Sequence, residues 1–218
     1  MESIRKVLKI LITAGPTRES IDPVRYLTNR SSGKMGYAIA QSAINQNHEV
    51  ILVSGPVSLE PPNDCKIINI ESADQMYKEV QSNSKVCDAV IMVAAVADYT
   101  PAVYYKEKIK KADDREIRLV RTKDILGSMR ESFGYNGILV GFAAETNELR
   151  ENAIGKMQQK GCNFIVSNDV SRNDIGFGSD QNEVTIFDEN GAQQHIGKSS
   201  KNLIADAIIE KIETIYGE

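Results

Sequence analysis

The sequence predicts an α/β fold of the Rossmann-like, doubly wound type with a mostly parallel sheet. Continuous apolar runs alternate with segments of helical periodicity, which is typical of a parallel sheet covered by helices on both faces. A flap excursion at about residues 99–121 and a small β-hairpin interrupt this alternation. The 218 residues contain no linker or low-complexity segment, so we expect one domain over 1–218.

The elements follow from the spacing of apolar residues along the chain. The predicted strands are residues 7–13, 49–54, 66–70, 89–95, 138–143 and 163–166. The predicted helices are residues 35–44, 72–81, 124–133, 148–159 and 201–216. The flap is predicted to end in a short strand at 116–120, and the Asn190-Gly191 pair predicts a hairpin between 183–187 and 192–196.

Composition excludes several classes of protein. The net charge of −4 argues against a general nucleic-acid binder. Cys65, Cys87 and Cys162 are widely spaced, which fits a reducing compartment better than a disulfide framework. No apolar run approaches the ~18 residues of a membrane span, and the first residues lack the apolar region of a secretory signal. We therefore expect a cytoplasmic protein.

A long polar loop connects the first predicted strand to the first predicted helix. Roughly seventeen residues separate Gly15 from Gly33, whereas such connections usually have about 2–6. A polar loop that leads into a helix N-terminus after the first strand of an α/β fold is where phosphorylated ligands bind. N-terminal capping with close packing at Gly36 is the alternative interpretation. The candidate anion-binding residues are Ser31, Ser32, Gly33, Lys34, Met35 and Gly36.

Two common phosphate-binding motifs are absent from this loop. A dinucleotide fingerprint needs G-x-G-x-x-G and an acidic residue after the second strand, but only Gly33 and Gly36 are present, and Ser54 ends that strand. A Walker A loop needs Ser or Thr after Gly33-Lys34, where this chain has Met35. The loop belongs to neither class.

Other polar residues have both a functional and a structural interpretation. Arg25 and Asn29 can orient a carboxylate or phosphate and an acyl oxygen, or they can form a salt bridge and a turn. Asp98 follows the predicted fourth strand, where it can accept from a ribose hydroxyl, bind a metal ion or cap a helix. The small Ala94 and Ala95 beside it allow either a flat ligand or tight packing.

Basic and aromatic residues further along the chain are open to the same two interpretations. Lys108 in the flap can neutralise a polyphosphate after closure or belong to a solvated basic face. Phe142 can stack on a base or pack in the core, and Lys156 and Lys160 can contact a ligand or lie at the surface. No nucleophile–base pair stands out, so charge stabilisation by lysine, arginine, amides and Mg²⁺ fits better than covalent catalysis.

Seven segments in order along the chain resemble the motifs of phosphopantothenoylcysteine synthetases. They are AGPTRE at 14–19, DPVRY at 22–26 with Asn29, SSGKMG at 31–36, VSGPV at 53–57, AAVADY at 94–99, EKIKK at 107–111 and GFAAET at 141–146. The similarity extends from the first strand to the terminal helix. The EKIKK segment is similar to the bacterial, CTP-using type.

The resemblance implies a homodimeric ligase that joins 4′-phosphopantothenate to L-cysteine in coenzyme A biosynthesis. The carboxylate would attack the α-phosphate of CTP, with Mg²⁺ present, to give an acyl-cytidylate and pyrophosphate. The cysteine amine would then displace CMP. In many bacteria this domain follows a flavin-dependent decarboxylase. Because this chain begins at its first strand, it resembles the stand-alone form, with no flavin of its own and a separate decarboxylase as a partner.

The resemblance also implies roles for individual residues. Asn29 matches the asparagine that holds the acyl intermediate, Arg25 its companion, and Lys108 the flap lysine that closes on the phosphates. Lys123 stands where the family has a proline, which puts the contacts of that segment in question. Which phosphate the residues 31–36 bind stays open. The implied nucleotide-binding residues are Gly15, Ala94, Ala95, Asp98, Lys108, Lys123, Asp124, Ile125, Leu126, Phe142, Lys156 and Lys160.

Two other functions remain as alternatives. A Rossmann-type NAD(P)-linked oxidoreductase is disfavoured by the missing fingerprint and the missing ribose-binding acid. A non-catalytic nucleotide-sensing module would bind the same ligands without turnover. Nicotinamide fluorescence and turnover assays separate both from the ligase.

Overall fold

The computed structural model describes residues 6–111, 114, 116–145, 149–169, 179–189 and 191–217, with the backbone alone at 144, 145, 149 and 169. The strands are β1 (Lys9–Ala14), β2 (Arg18–Ser20), β3 (Tyr26–Thr28), β4 (Glu49–Ser54), β5 (Lys66–Asn69), β6 (Ala89–Met92), β7 (Tyr99–Pro101), β8 (Leu119–Arg121), β9 (Ile138–Glu145), β10 (Phe164–Asp169), β11 (Gln181–Asp188) and β12 (Gln193–Ser200). The helices are α1 (Lys34–Asn45), α2 (Ala73–Asn83), α3 (Ile125–Ser128), α4 (Leu149–Lys160) and α5 (Lys201–Gly217), with a 3₁₀ turn at Ser84–Val86.

The described strands form a main sheet in the order β12-β11-β10-β9-β6-β1-β4-β5. From β5 to β10 the pairing is parallel, and β11 and β12 add an antiparallel edge. The chain leaves β1 towards β4 and β5, then returns to β6 on the other side of β1. This reversal opens a crevice between β1 and β6, at the carboxyl ends where doubly wound sheets bind ligands. The predicted fold class is confirmed.

Two apolar layers cover the sheet. Ile10 and Ile12 of β1 face a cluster that includes residues of α1 and α5, whereas Leu11 faces the cluster with residues of α2, α3 and α4. This alternation is the period of two expected of a strand that is buried on both faces. Each fully buried Leu or Ile contributes about 1.5–3 kcal/mol. The layers hold the strand ends, and therefore the crevice, in place.

Two predicted elements are too long, the first because of a tertiary contact and the second because turns replace its last residues. The strand predicted at 89–95 ends at Met92, because the Thr13 hydroxyl accepts from the N–H groups of Val93 (3.1 Å) and Ala94 (3.2 Å) and pulls the chain out of the ladder. The helix predicted at 124–133 ends at Ser128. The following turns reach Gly134, which has φ of 65°, a conformation that favours glycine.

Among the described residues, two hairpins lie outside the main sheet and a third forms its antiparallel edge. Within the long loop, β2 pairs with β3, which the sequence analysis did not predict. In the flap, β7 pairs with β8, so the strand predicted at 116–120 lies at Leu119–Arg121. The predicted hairpin near Asn190 is present as β11 and β12, although Asn190 itself lies outside the described residues.

Among the described residues, no helix is long and apolar enough to cross a membrane.

Candidate functional site

Two adjoining cavities lie at the carboxyl ends of β1, β6 and β9. The first has a volume of about 530 Å³ and the second about 410 Å³. They share a wall made of Ala94, Val96, Asp98, Phe142 and Lys156. A ligand in one cavity would therefore lie beside a ligand in the other.

Each cavity has its own further lining. The first is completed by Met92, Tyr99, Arg121, Thr122, Lys123, Asp124, Ile125, Leu126 and Lys160. The second is completed by Gly15, Asn29, Ser31, Ser32, Gly33, Lys34, Met35, Gly36, Val93, Ala95, Asn168, Asn182 and Lys201. The structure thus brings together all predicted site residues except Arg25 and Lys108.

Backbone contacts between the first strand end and the segment after β6 shape the shared wall. Ala95 donates its N–H to the Gly15 carbonyl at 2.9 Å, and the Ala95 carbonyl accepts from Thr17 N–H at 3.3 Å. The buried Thr17 hydroxyl accepts from Ala97 N–H at 3.0 Å. Asn29 adds a side-chain contact, donating from Nδ2 to the Ala95 carbonyl at 2.9 Å. Asn29 is thereby held at the edge of the second cavity.

The helix entry that lines the second cavity depends on two glycines. Gly33 caps α1 with φ of 78°, and a Cβ there would lie 2.7 Å from Val57 Cγ1. At Gly36 a Cβ would lie 2.6 Å from the Ala14 Cβ, so α1 packs directly on β1. Gly33 has no side chain to cover the helix N-terminus, where backbone N–H groups and the helix dipole favour anions. The packing alternative for Gly36 is confirmed, and it coexists with an anion-accessible helix end.

Three polar residues form a floor of the second cavity, and the sequence analysis did not predict them. Asn168, Asn182 and Lys201 are buried and line it. Burial, reinforced by the charge of Lys34, lowers the pKa of Lys201, and Asp180 opposes this shift. Asn168 lies at the carboxyl end of β10, beyond the predicted limit of 166, so a longer strand prediction would have found it. No sequence signal distinguished Lys201 from the surrounding polar residues.

Two lysines of α4 line the first cavity and have different partners. Lys156 Nζ donates to the Phe142 carbonyl at 2.8 Å, and Lys160 forms an ion pair with Asp124. Asp124 also caps α3 by accepting from Gly127 N–H at 2.8 Å. Burial by itself would raise the pKa of Asp124, but the bonds from Lys160 and Gly127 and the charge of Lys156 hold its pKa below the ordinary range. This corner presents fixed positive charge to the cavity.

Lys123 is engaged outside the cavity that it borders. Its Nζ lies 2.9 Å from Asp74 Oδ1 and 4.7 Å from the centre of the Tyr77 ring. The bond to Asp74 of α2 raises the pKa of Lys123, and the ion pair holds the Lys123 charge against that carboxylate. Asp74 and Tyr77 thus account for a lysine at this position.

Arg25 and Lys108 line neither cavity in this structure. Arg25 Nη2 donates to the Ile109 carbonyl at 2.9 Å, and Lys108 is exposed in the flap. In the motif at 141–146, Thr146 and the side chains of Ala144 and Glu145 lie outside the described residues. The roles predicted for Arg25 and Lys108 therefore stay predictions, because neither side chain lines a cavity.

A doubly wound sheet with paired cavities at its switch point, a helix N-terminus and lysines on the walls defines a Rossmann-like protein with a cleft suited to phosphorylated ligands. The chain belongs to the family described as the DNA/pantothenate metabolism flavoprotein C-terminal domain, whose model matches residues 6–216.

Curated relatives from Vibrio vulnificus and Bacillus subtilis share the description coenzyme A biosynthesis bifunctional protein CoaBC. The Vibrio vulnificus protein is 44% identical over 211 residues, covering 95% of this chain and 52% of the relative. The Bacillus subtilis protein is 45% identical over 208 residues, covering 94% and 51%. This chain therefore spans about half the length of the curated relatives it matches, and the stand-alone form stays a prediction.

Solved structures share the whole architecture. The crystal structure of the C-terminal domain of a CoaBC protein has a TM-score of 0.82 at 42% identity, covering 96% of both chains. A DNA/pantothenate metabolism flavoprotein from Streptococcus pneumoniae has a TM-score of 0.83 at 25% identity, covering 96% of this chain and 100% of the other. A Cab2 mutant in complex with phosphopantothenate-cysteine, at 16% identity and a TM-score of 0.78, shares the fold.

Proposed function

We propose that the protein is a CTP-dependent phosphopantothenate–cysteine ligase of coenzyme A biosynthesis. The observation that supports the proposal is the shared wall of the two cavities, which would allow a nucleotide and a second substrate to lie side by side. The family and the description of the CoaBC relatives support coenzyme A biosynthesis as the context. The fixed lysines and the open helix N-terminus support substrates that carry phosphate.

In the proposed reaction, the nucleoside of CTP occupies the first cavity and the acyl centre lies beside Asn29 in the second. A carboxylate oxygen of 4′-phosphopantothenate attacks the α-phosphorus of CTP, and pyrophosphate leaves. The cysteine amine then attacks the acyl carbon, CMP leaves, and the amine loses a proton. Forming the mixed anhydride is necessary because a free carboxylate is a poor acylating agent.

Electrostatic stabilisation accounts for the catalytic part of the proposal. Both steps develop negative charge on phosphate or acyl oxygens, and fixed donors aimed at such charge lower the barrier. Lys156 belongs to the shared wall, and the α1 N-terminus and Asn29 line the second cavity. Lys108 would add charge on closure of the flap, and Arg25 would act near the acyl centre after release from Ile109.

Mg²⁺ is proposed to reach the site with the nucleotide. Among the described residues, no cluster of three His, Cys, Asp or Glu side chains could hold a metal ion. Mg²⁺ commonly binds through one or two carboxylates together with substrate phosphates. We propose Asp98 on the shared wall as the carboxylate for this role. The ion would neutralise phosphate charge during both steps.

A pyrophosphate-release assay with 4′-phosphopantothenate, L-cysteine and Mg²⁺ tests the proposal. We expect release with CTP, faster than with ATP, and formation of phosphopantothenoylcysteine. Without cysteine, a single equivalent of pyrophosphate should appear as the acyl-cytidylate accumulates on the enzyme. No release with either nucleotide would contradict the ligase, whereas preference for ATP would contradict the nucleotide assignment alone.

A homodimer is part of the proposal, with the two projecting hairpins as its contact surface. Tyr26, Tyr99, Leu119 and Val120 of β3, β7 and β8 are exposed, as is Val24 of the adjoining turn. Exposed apolar patches of this kind mark association surfaces. Sedimentation should give twice the 24.1 kDa of one chain, and Val120→Glu should shift it towards one chain. A single-chain mass for the unaltered protein would contradict the dimer.

A further inference from the structure

The flap is attached to the turn between β2 and β3 at two points. Tyr105 donates its N–H to the Ile21 carbonyl at 2.9 Å. Four residues later, Ile109 is only 7% exposed, whereas Lys108 and Lys110 on either side of it are exposed. Ile109 is thus an anchor in a segment of exposed lysines.

One buried carboxylate organises the Ile109 anchor. Asp22 is 2% exposed, and its Oδ2 accepts from Ile109 N–H at 3.1 Å. Its Oδ1 accepts from the N–H groups of Val24 and Arg25, both at 2.8 Å, which forms the turn. The same turn presents the Arg25 guanidinium, whose Nη2 donates to the Ile109 carbonyl at 2.9 Å. Both backbone polar groups of Ile109 are therefore held from one turn.

The charges at this anchor support its persistence. Burial by itself would raise the pKa of Asp22, but the three backbone N–H donors and the charge of Arg25 keep it below the ordinary range. Asp22 therefore stays a carboxylate at neutral pH. Hydrogen bonds to a charged acceptor are stronger than neutral ones, and a buried carboxylate is costly to leave without them.

We propose that Asp22 is a positioning residue of the flap, which holds Ile109 from the β2–β3 turn and so determines where Lys108 lies. The attachment itself follows from contacts that involve no substrate. The effect on catalysis through Lys108 rests on the proposed function, because only there does Lys108 meet the phosphates. Asp22 also links the flap to Arg25, since releasing Ile109 frees the guanidinium.

The substitution Asp22→Asn should weaken the contact with Ile109 while it keeps the contacts that form the turn. The amide Oδ1 can still accept from Val24 and Arg25, whereas Nδ2 presents a donor to the Ile109 N–H, and two donors repel. Trypsin cleavage after Lys106 and Lys108 in ligand-free protein, followed by mass spectrometry, reports local opening of the flap. We expect cleavage to accelerate at least about tenfold, the lower limit for losing a hydrogen bond to a charged group.

Glu19→Gln is the matched control. Glu19 is a buried carboxylate in β2 that accepts Ala73 N–H at 2.8 Å, so its change perturbs a comparable bond outside the flap. Its flap cleavage should match that of the unaltered protein. Cleavage of a folded Asp22→Asn variant within twofold of the unaltered rate would overturn the proposal.

Hydrogen exchange of the unaltered chain requires no substitution, so it tests the anchor even if Asp22→Asn does not fold. The amides of Tyr105 and Ile109 should exchange at least about tenfold more slowly than those of Lys106 to Lys108. Equal rates across this segment would contradict the attachment.

A double-mutant cycle tests the link to catalysis, with pyrophosphate release as the measurement. If Asp22 acts through Lys108, Asp22→Asn should lower kcat/KM in the unaltered protein about tenfold and have less than a twofold effect in a Lys108→Ala background. Additive effects of the two substitutions on kcat/KM would overturn the positioning role. Slow hydrogen exchange at Tyr105 and Ile109 would then still support the attachment of the flap. Absence of any release by the unaltered protein would instead contradict the proposed function.

Discussion

At the scale of single residues, the amide of Asn29 is held against the Ala95 carbonyl at 2.9 Å, on the edge of the second cavity. A donor fixed in this way can act on an acyl oxygen as charge develops there. The sequence identified Asn29 as a candidate residue. It did not predict where the side chain lies, because its partner Ala95 is 66 positions away.

Asn29→Asp should separate the two proposed half-reactions. The new carboxylate lacks the N–H donor and repels a developing oxyanion, so cysteine transfer should fall by about 10²–10³-fold, the range for loss of one such donor. Activation should persist, measured as a single-turnover burst of pyrophosphate. Asn202→Asp on the exposed face of α5 is the control. Equal loss of both half-reactions would contradict the special role of Asn29.

Gly36→Ala should destabilise the protein. Its Cβ would lie 2.6 Å from the Ala14 Cβ and 3.2 Å from the Thr13 carbonyl oxygen, and overpacking of this kind costs about 1–3 kcal/mol. Gly155→Ala in α4 is the matched change, since a Cβ there meets nothing within 4 Å. That substitution should stabilise by about 0.5–1 kcal/mol. Urea unfolding midpoints measure both, and a neutral Gly36→Ala would refute the close approach.

At the scale of elements, α4 links the cavities through lysines one turn apart. Lys156 borders both cavities, whereas Lys160 borders the first. The periodicity of the sequence predicted the helix but left open whether these lysines contact a ligand. Both lysines face the cleft, because Lys160 pairs with Asp124 and Lys156 donates to the Phe142 carbonyl.

Substitution of each lysine by methionine should give different kinetic patterns. Lys156→Met should raise KM for both CTP and 4′-phosphopantothenate about tenfold, because charge is lost from the shared wall. Lys160→Met should raise KM for CTP alone. Initial rates of pyrophosphate release at varied concentrations of each substrate measure this. Equal effects of the two changes on both substrates would contradict the assignment of the cavities.

The elements that the sequence failed to predict share one cause. The unpredicted strands β2, β3 and β7 have only three residues each, whereas the strand predicted at 116–120 corresponds to β8. Such short segments carry no readable alternation, and their pairing depends on contacts with other parts of the chain. The end of β6 depends likewise on the Thr13 hydroxyl, about 80 positions earlier.

At the scale of the whole molecule, stability should depend on pH through aspartates that the fold stabilises as carboxylates. Asp22, Asp74 and Asp124 all have pKa values below the ordinary 3.8. Because the folded chain then binds fewer protons than the unfolded chain in acid, their contribution is complete above about pH 5. It is lost as the pH falls through 3.8 towards the lower folded values.

The thermal midpoint of Asp22→Asn should therefore fall less between pH 6 and pH 3 than that of the unaltered protein. Asp180→Asn is the contrast, because the Asp180 side chain is 86% exposed and solvent screens its ion pair with Lys34. Its curve should follow that of the unaltered protein. If the thermal midpoints of the unaltered protein and of both variants fell equally between pH 6 and pH 3, this would contradict a stabilising carboxylate at Asp22.

The sequence by itself determined the α/β class and the core strands, because these follow from apolar periodicity. Motifs next to strand ends, and their resemblance to a known family, supplied only candidate residues for the cleft. Only the tertiary structure decided that the cleft is two cavities with a common wall, that Asn168, Asn182 and Lys201 form a polar floor, and that Arg25 and Asp22 hold the flap. The physical reason is that these features arise between side chains far apart in sequence, whose proximity exists only after the sheet has assembled.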